Sequence, residues 1–344
     1  MGTSQFETAM RRALALSEAV WGATSPNPPV GAVILDRDGR TVGEGATSPP
    51  GGPHAEALAL ARAGDHARNA TAVVTLEPCR HTGRTGPCTQ TLLAAGVSRV
   101  VYAVPDPTPQ AGGGAAELTD AGVEVIGGVL DDVVRSGPLE AWLSAQRTGR
   151  PFVTWKLAAT LDGRSAAADG TSQWITSEAA RADVHRLRAQ SDAVLVGVGT
   201  VLADDPALTV RAVSGDPEPL RQPLRVVLDN HGRTPPGAAV HPAWVLPGND
   251  LLDVLDRLHR HGVVSVLVEG GPTVAAAFLR AGLVDRVVAY LAPVLLGAGP
   301  AALGDIGVGT ISDATRLRLD DVTVTGGDVR LTLRPAPRLT GRTA

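Results

Sequence analysis

Apolar runs of strand length alternate with helical patterns from residue 29 onward. The strand-like runs are VGAVILD, AVVTLEP, RVVYAV and VEVIGG, and the helical patterns between them are HAEALALARAG, TQTLLAAG and AAELTDAG. Strands that alternate with helices are typical of layered α/β domains with a largely parallel sheet. The pattern therefore predicts the α/β fold class for this part of the chain.

The alternation starts again after RTGRP, residues 147–151. FVTWKLAAT, DAVLVGVG, LRVVLD, VVSVLVEGG and RVVAYLAPVLL are apolar runs, several of them rich in β-branched residues as in strands buried on both faces. LRLDDVTVTG and DVRLTLRP add two edge-like strands. A chain of 344 residues is long enough for two cores. We therefore predict two domains, residues 1–147 and 151–344.

The chain begins with an amphipathic helical pattern rather than a targeting segment. One face carries Phe6, Met10, Ala13, Leu14 and Ser17, without the basic start and unbroken apolar core of a signal peptide. No apolar run approaches the roughly 18–20 residues that a membrane span needs. We expect a cytoplasmic protein without a membrane partner.

Composition narrows the class of ligand. The formal net charge is −4 and aromatic residues make up 3% of the chain. An acidic balance disfavours an extended phosphate-binding surface, and few aromatic side chains are present to stack on bases. We expect small-molecule substrates and no nucleic-acid partner.

The only two cysteines of the chain, Cys79 and Cys88, lie in TLEPCRHTGRTGPC and are separated by eight residues. They are compatible with a disulfide, a redox pair, a metal site or two inert buried thiols. A reducing compartment disfavours the structural disulfide.

PHAEA places His54 and Glu56 at the start of a helical pattern. One histidine and two cysteines match the ligand count of a catalytic zinc site, where a carboxylate that is not a ligand can move protons. The nucleobase deaminases share this H-x-E and P-C arrangement, but with a two-residue gap between the cysteines. The residues therefore favour a zinc-dependent deaminase and leave the eight-residue gap unexplained.

The segments TSPNPPVGAVI, PHAEALAL and LEPCRHTGRTGPC resemble the deaminase half of the bifunctional riboflavin-biosynthesis deaminase/reductase family, whose members carry the longer gap. The resemblance implies a cytidine-deaminase-like three-layer domain. It implies that His54, Cys79 and Cys88 bind Zn²⁺ and that Glu56 is the catalytic proton shuttle.

The same resemblance implies substrate contacts from Asn27, His81 and Arg84. His81 as a fourth zinc ligand would close the site, so substrate contact or loop packing is favoured for it. A solvated loop position is the alternative for Arg84. Thr47 stands where the family usually has a histidine, so either another donor substitutes or the substrate affinity differs.

VEGGPTVAAAF, residues 268–278, predicts a strand that ends at Glu269, two glycines, and a helix opened by Pro272. Glycines allow close backbone approach, and free N–H groups at a helix start bind phosphate. A simple tight turn is the alternative, because this is not the G-x-G-x-x-G fingerprint.

KLAATLDGRSA, GTSQWITS and GVGTVLADDPALTVR resemble the reductase half of the same family, which implies a dihydrofolate-reductase-like α/β domain that uses NADPH. The implied cofactor-binding residues are Ala158, Trp174, Thr200, Asp204, Gly271, Pro272, Thr273, Val274, Ala275, Ala276 and Ala277. The implied substrate-binding residues are Lys156, Ser172, Leu208, Arg211 and Glu269.

The residue types agree with that chemistry. Arg211 and Ser172 suit a phosphate, and Lys156 suits a developing alkoxide on the ribose. Trp174 in the core and an Asx turn at Asp204 and Asp205 are the structural alternatives. No residue identifies the partner of the NADPH 2′-phosphate.

We predict a bifunctional enzyme of riboflavin biosynthesis. Its first domain would hydrolytically deaminate 2,5-diamino-6-ribosylamino-4(3H)-pyrimidinone 5′-phosphate, and its second would reduce the ribosyl chain with NADPH to give 5-amino-6-ribitylamino-uracil 5′-phosphate. The rivals are a nucleic-acid deaminase with an added domain and a nucleotide-binding protein that has lost turnover. The resemblance also implies a homo-oligomer, a dimer or a tetramer.

Overall fold

The computed structural model describes residues 2–81, 86–211 and 221–336. The chain divides into two compact units, Met1–Arg150 and Pro151–Ala344. Each unit combines helices with a sheet of its own, so the predicted α/β fold class is confirmed.

In the first unit the described helices are α1 (Thr3–Ala19), α2 (Ala55–Ala63), α3 (Cys88–Ala95), α4 (Gly114–Asp120), α5 (Asp131–Arg135) and α6 (Glu140–Thr148), with a 3-10 turn at Gly64–Ala67. The described strands are β1 (Gly31–Leu35), β2 (Thr41–Ala46), β3 (Thr71–Leu76), β4 (Arg99–Val104) and β5 (Glu124–Ile126).

The sheet of the first unit has the order β2-β1-β3-β4-β5. β3, β4 and β5 are parallel, as expected, but β1 is antiparallel to both of its neighbours. The prediction of a largely parallel sheet is wrong here, because the connection from Leu35 to Thr41 is too short for a crossover and forms a hairpin. The sequence pattern did not predict β2, since TVGEGA lacks apolar alternation.

Helices cover both faces of this sheet, and glycines set how closely they approach. A Cβ at Gly31 would lie 1.9 Å from the Ala13 carbonyl oxygen of α1. Cβ atoms at Gly43 and Gly45 would lie 2.1 and 2.2 Å from carbonyl oxygens of Ala59 and Ala55 in α2. Gly31 pairs with Ala46 in the register, so alternation along β2 places Gly43 and Gly45 on the opposite face. α1 and α2 therefore sandwich the sheet, as a three-layer domain requires.

In the second unit the described strands are β6 (Phe152–Thr160), β7 (Ala193–Gly197), β8 (Leu224–Leu228), β9 (Trp244–Leu246), β10 (Ser265–Val268), β11 (Arg286–Ala292), β12 (Leu317–Thr325) and β13 (Asp328–Pro335). The described helices are α7 (Glu178–Ala189), α8 (Val198–Asp204), α9 (Leu251–Arg260) and α10 (Pro272–Arg280), with a 3-10 turn at Ile311–Asp313.

This sheet has the order β12-β13-β11-β6-β10-β7-β8-β9, parallel from β11 to β9 and antiparallel in the terminal hairpin. Val266 and Val268 face one hydrophobic core, and Leu267 faces another on the opposite side. The strand predicted as DAVLVGVG ends at Gly197, where α8 begins. The short β9 was not predicted.

Because strands β6, β7, β8 and β10 are parallel, their carboxyl ends meet at one edge of the sheet. The loops that follow β7 and β10 therefore lie near each other and near the end of β6. Within the part of the chain that the structure describes, no helix is both long and apolar enough to cross a membrane.

Candidate active sites

His54, Cys79 and Cys88 converge in the first unit although they are far apart in sequence. Their ligand atoms all lie within 4.8 Å of one another. His54 Nδ1 lies 3.2 Å from Cys88 Sγ and 3.6 Å from Cys79 Sγ. Both cysteines are free thiols, which removes the disulfide alternative.

Three elements deliver these side chains. His54 is the N-cap of α2, Cys79 follows β3, and Cys88 is the first residue of α3. Of the two thiols, only that of Cys88 therefore lies at a helix start. Helix N-termini favour negative charge, but the hydrogen bond to Cys79 raises the pKa of Cys88, so the negative charge of the thiol pair lies on Cys79.

The electrostatics of the cluster fit a metal cation. A hydrogen bond from Cys88 lowers the pKa of Cys79 to about 4, with His54 acting in the same direction and burial opposing. The hydrogen bond to Cys79 raises the pKa of His54. Two thiols and one imidazole within reach of a single ion form the donor set of a catalytic zinc site that keeps an open position.

Glu56 lies beside this cluster, two residues after the N-cap of α2, and its side chain is buried. Burial, followed by the charge of Cys79, raises the pKa of the Glu56 carboxyl. A carboxyl group with a raised pKa can both accept and release a proton near neutral pH.

A cavity of about 570 Å³ opens onto His54, Glu56 and Cys79. Asn27 and His81 line it, as expected for substrate contacts, whereas Arg84 lies outside the described residues. The Thr47 hydroxyl also borders the cavity but accepts the Val30 N–H at 3.1 Å.

Asp106 and Thr108, which were not predicted from the sequence, line the same cavity. Burial raises the pKa of Asp106, while its hydrogen bonds from Thr108 oppose that shift. The buried carboxylate of Glu77 accepts the Asp106 N–H at 3.0 Å and so fixes the loop after β4. The position of Asp106 just past the carboxyl end of a parallel strand was a usable signal.

The second unit contains a cavity of about 940 Å³. The sequence-predicted residues that line it are Lys156, Ala158, Ser172, Trp174, Thr200, Asp204, Leu208, Arg211, Glu269, Gly271 and Pro272. Its size is at the upper end of typical ligand pockets and suits a dinucleotide with a second ligand.

The rest of the predicted cofactor segment does not line this cavity. Thr273, Val274, Ala275, Ala276 and Ala277 are not among its lining residues. Ala275 is buried in a hydrophobic core, and Val274 packs against the same core. Only the first residues of α10 are therefore placed to contact a bound ligand.

The start of α10 has the features of a phosphate site. The Gly271 N–H donates to Thr200 Oγ1 at 3.2 Å, which joins α8 to α10 at the cavity wall. A Cβ at Gly270 would lie 2.8 Å from Val274 Cβ, so a larger residue there would displace the first turn. Backbone N–H groups at a helix start that borders a cavity fit the phosphates of NADPH.

Arg188 is a further residue that sequence analysis missed. Its guanidinium forms a bidentate ion pair with Glu269, Nε to Oε1 at 2.5 Å and Nη2 to Oε2 at 2.9 Å. Glu178, Arg181, His185 and Arg188 share the face of α7 that lines the cavity. That polar stripe at helical spacing was visible in the sequence.

Lys156 lies next to this pair. Burial lowers the pKa of Lys156, with the Glu269 carboxylate opposing and Arg188 reinforcing the shift. Burial works against ionisation of Glu269, yet Arg188 and Lys156 keep its pKa below the usual value. A lysine with a lowered pKa can donate its proton more readily.

Trp174 is not a core residue, since 68% of its surface is exposed. The Arg181 guanidinium lies 4.4 Å from the centre of its ring. Asp205 Oδ1 accepts the Ala239 N–H at 2.8 Å, so this carboxylate fixes a loop, while Asp204 borders the cavity.

Comparison with known proteins assigns a family to each unit. The model of the cytidine and deoxycytidylate deaminase zinc-binding region matches residues 3–104. The model of the RibD C-terminal domain matches residues 151–331.

Full-length relatives combine both parts. Riboflavin biosynthesis protein RibD of Mycobacterium tuberculosis is 52% identical over 330 residues, 95% of this chain and 96% of that protein. The structure of Acinetobacter baumannii RibD superposes with a TM-score of 0.91 at 39% identity and covers 97% of this chain and 100% of that one. A diaminohydroxyphosphoribosylaminopyrimidine deaminase/5-amino-6-(5-phosphoribosylamino)uracil reductase of Thermotoga maritima gives 0.89 at 36% identity and covers 97% of this chain and 99% of that one.

Proposed function

This chain belongs to the family of bifunctional riboflavin-biosynthesis deaminase/reductases, and from that premise we propose how its residues divide the two reactions. The family uses zinc in its deaminase and NADPH in its reductase. The first unit deaminates 2,5-diamino-6-ribosylamino-4(3H)-pyrimidinone 5′-phosphate, and the second reduces the ribosyl chain of the product. The resulting compound is 5-amino-6-ribitylamino-uracil 5′-phosphate.

In the first unit, His54, Cys79 and Cys88 would hold zinc. When bound, zinc lowers the pKa of water to about 7 and so supplies a nucleophile. Glu56 takes a proton from the attacking water and passes it to the departing amine, which leaves as ammonia. The buried position of Glu56 beside the cluster supports this role.

The pyrimidine ring lies in the cavity of the first unit, between Asn27 and Asp106. Both residues border that cavity, and Glu77 fixes the backbone of Asp106. The Thr47 hydroxyl accepts the Val30 N–H and Asp106 Oδ1 accepts two bonds from Thr108, so Asp106 Oδ2 is the proposed polar partner for the ring. Arg84 remains a predicted contact to the substrate phosphate.

In the second unit, the first turn of α10 and Thr200 bind the phosphates of NADPH. Trp174 and Ala158 border the same cavity and pack against the dinucleotide. When bound, NADPH supplies the hydride that reduces the ribose carbon. The cavity is lined both by Gly270 and Gly271 and by several charged side chains, which supports binding of a cofactor and a charged substrate together.

The charged side of the cavity binds the ribosyl phosphate. Arg211 and Ser172 hold the phosphate, and Lys156 donates a proton to the oxygen that becomes negative during reduction. Glu269 orients Lys156 and is itself held by Arg188. The residues of this chain therefore supply the proton and the orientation that the reduction needs.

The observation that supports this proposal best is that each unit has its own cavity. The cavity of the first unit is lined by residues suited to deamination, and that of the second unit by residues suited to reduction. The test is incubation of the full chain with the diaminopyrimidine nucleotide, with and without NADPH. Ammonia release without NADPH, followed by NADPH oxidation once it is added, is expected. NADPH oxidation without prior ammonia release would contradict the order of the two steps.

The enzyme is a homo-oligomer joined through the β12–β13 hairpin. The pairing partners of Leu319, Val322 and Val324 all lie on one face of β13. The bulge between Leu319 and Asp321 shifts the register of β12, so these three apolar side chains point to the same side. These three side chains are exposed, and the same face continues into the core through Leu331. A second copy that packs the same face of its own hairpin against these side chains would cover the apolar face.

The proposed compartment is the cytoplasm. Two free thiols placed as metal ligands require a reducing environment to stay unpaired with each other.

A further inference from the structure

His185 lies on the face of α7 that borders the reductase cavity, and the reduction described above does not use it. Its Nδ1 accepts a hydrogen bond from the backbone N–H of Arg211 at 3.3 Å. The side chain of Arg211 also lines the cavity. The imidazole therefore holds the backbone of the residue to which the contact with the substrate phosphate is assigned above.

The short segment 209–211 has no regular secondary structure and is held by side chains. Arg188 Nη1 donates to the Thr209 carbonyl at 3.0 Å. Gln222 accepts the Val210 N–H at 2.8 Å and donates to the Val210 carbonyl at 2.9 Å. At the end of the segment, His185 accepts the backbone N–H of Arg211. This hydrogen bond fixes the backbone from which the Arg211 side chain projects.

We propose that His185 is a positioning residue of the reductase site, which aims the Arg211 guanidinium at the phosphate of the pyrimidine nucleotide through the Arg211 backbone. This inference rests on the role proposed above for Arg211. It gives His185 a role in substrate binding although His185 does not itself contact the substrate.

The charges around His185 keep it in the form that this role needs. The groups that face it are Arg188 on its own helix, Arg211 on the segment and Glu269 at the end of β10. Burial, then Arg188 and Arg211, lowers the pKa of His185, while Glu269 and a hydrogen bond with the backbone of Thr209 oppose the shift. The neutral imidazole carries its proton on Nε2 and leaves Nδ1 free to accept.

Acidification should therefore loosen the segment. Protonation of His185 converts Nδ1 into a donor, which cannot pair with the Arg211 N–H. Because the pKa is lowered, the bond persists below the ordinary histidine value of about 6.5 and is lost as the pH falls further.

Substitutions by Asn and Gln separate this role from simple packing. In His185→Asn the new amide oxygen overlies the position of Nδ1 and can accept the same N–H, whereas in His185→Gln it overlies the position of Nε2. We expect His185→Gln and His185→Ala to raise the KM for the deaminated nucleotide about three- to ten-fold, the effect of one hydrogen bond. We expect His185→Asn to stay within about two-fold of the parent enzyme and kcat to change little in all three.

Three controls make the result decisive. Ala179→Asn places the same helix-disfavouring residue at an exposed position of α7 and should leave the KM unchanged. Ammonia release by the first unit and the melting temperature report whether each variant is folded. Between pH 7.5 and about 5.5 the KM of the parent enzyme should rise more than that of His185→Asn, because Asn does not titrate and protonation of the substrate phosphate affects both enzymes equally.

Arg211→Gln distinguishes the two proposals. If it leaves the KM for the nucleotide unchanged, the phosphate contact is wrong and the role of His185 fails with it. If it raises the KM but His185→Ala and His185→Gln match the parent enzyme, only the positioning role is overturned. A KM for His185→Asn as high as that for His185→Gln would also overturn it, because the accepted hydrogen bond would then not be the cause.

Discussion

Arg188 and Glu269 join the middle of the sheet to α7 through two parallel hydrogen bonds, with 15% and 7% of their side-chain surfaces exposed. A buried ion pair is costly to break from one side, because the remaining charge loses its partner. Arg188→Gln should therefore lower the free energy of unfolding by about 3–5 kcal/mol. NADPH oxidation should fall with it, since Glu269 would no longer orient Lys156.

A double-mutant cycle with Glu269→Gln measures the pair directly. Arg188→Gln/Glu269→Gln should lose less stability in denaturant melts than the sum of the two single variants. Additive losses would show that the two side chains act independently.

The variant Lys156→Met distinguishes the contribution of the lysine to catalysis from its effect on the stability of the protein. Removal of the proton donor should slow NADPH oxidation by about 100-fold or more. Because burial lowers the pKa of Lys156 from its usual 10.5, the charged lysine carries a folding penalty that methionine lacks. The variant should be at least as stable as the parent enzyme.

The pH dependence of that difference has a defined sign. The penalty is full below the lowered pKa and disappears as the pH rises through it toward 10.5, where lysine is neutral in both states. The melting-temperature advantage of Lys156→Met should therefore shrink at alkaline pH. An advantage that grows with pH would contradict the assigned direction.

Cys88→Ser tests the zinc ligands. We expect the parent enzyme to contain about one zinc per chain and the variant to retain little, because serine is a poor zinc ligand. Ammonia release should be lost in the variant, while NADPH oxidation with the deaminated nucleotide continues. Elemental analysis of both proteins, with Thr91→Ser in the same helix as a control, measures the metal. Full zinc content in Cys88→Ser would exclude Cys88 as a ligand.

A charged residue on the apolar face of the β12–β13 hairpin should disrupt the proposed oligomer. Val324, 75% exposed, faces the apolar side of the hairpin, and the neighbouring Thr323 faces the other side. Val324→Asp should therefore shift the protein to monomers in light scattering, and Thr323→Asp should not. A parent enzyme that is already monomeric at micromolar concentration would rule out this interface.

The fold could largely be predicted from the sequence for those strands whose side chains face a hydrophobic core on both sides. The β-branched runs of β7 and β11 face cores on both sides and have no polar alternative. β2 could not be recognised, because Gly43 and Gly45 are selected by the close approach of α2 rather than by strand propensity.

The residues of the candidate sites also differ in how well the sequence predicts them. His54, Glu56 and the two cysteines form a pattern with chemical meaning in the sequence, and the structure brings them together. Arg188 and Asp106 carry weaker signals, a polar stripe at helical spacing and a carboxylate just past a parallel strand, and residues with such signals are ordinarily solvated. Their importance comes from Glu269 and the cavity walls, which only the folded chain places beside them.

The most direct test of the divided function is Glu56→Gln in the full chain. Glutamine keeps the size of the side chain but cannot move a proton, so ammonia release should fall by about 100-fold or more. Zinc content and NADPH oxidation with the deaminated nucleotide should match the parent enzyme, as should both activities of the surface control Glu18→Gln. Deamination at the full rate by Glu56→Gln would contradict the account.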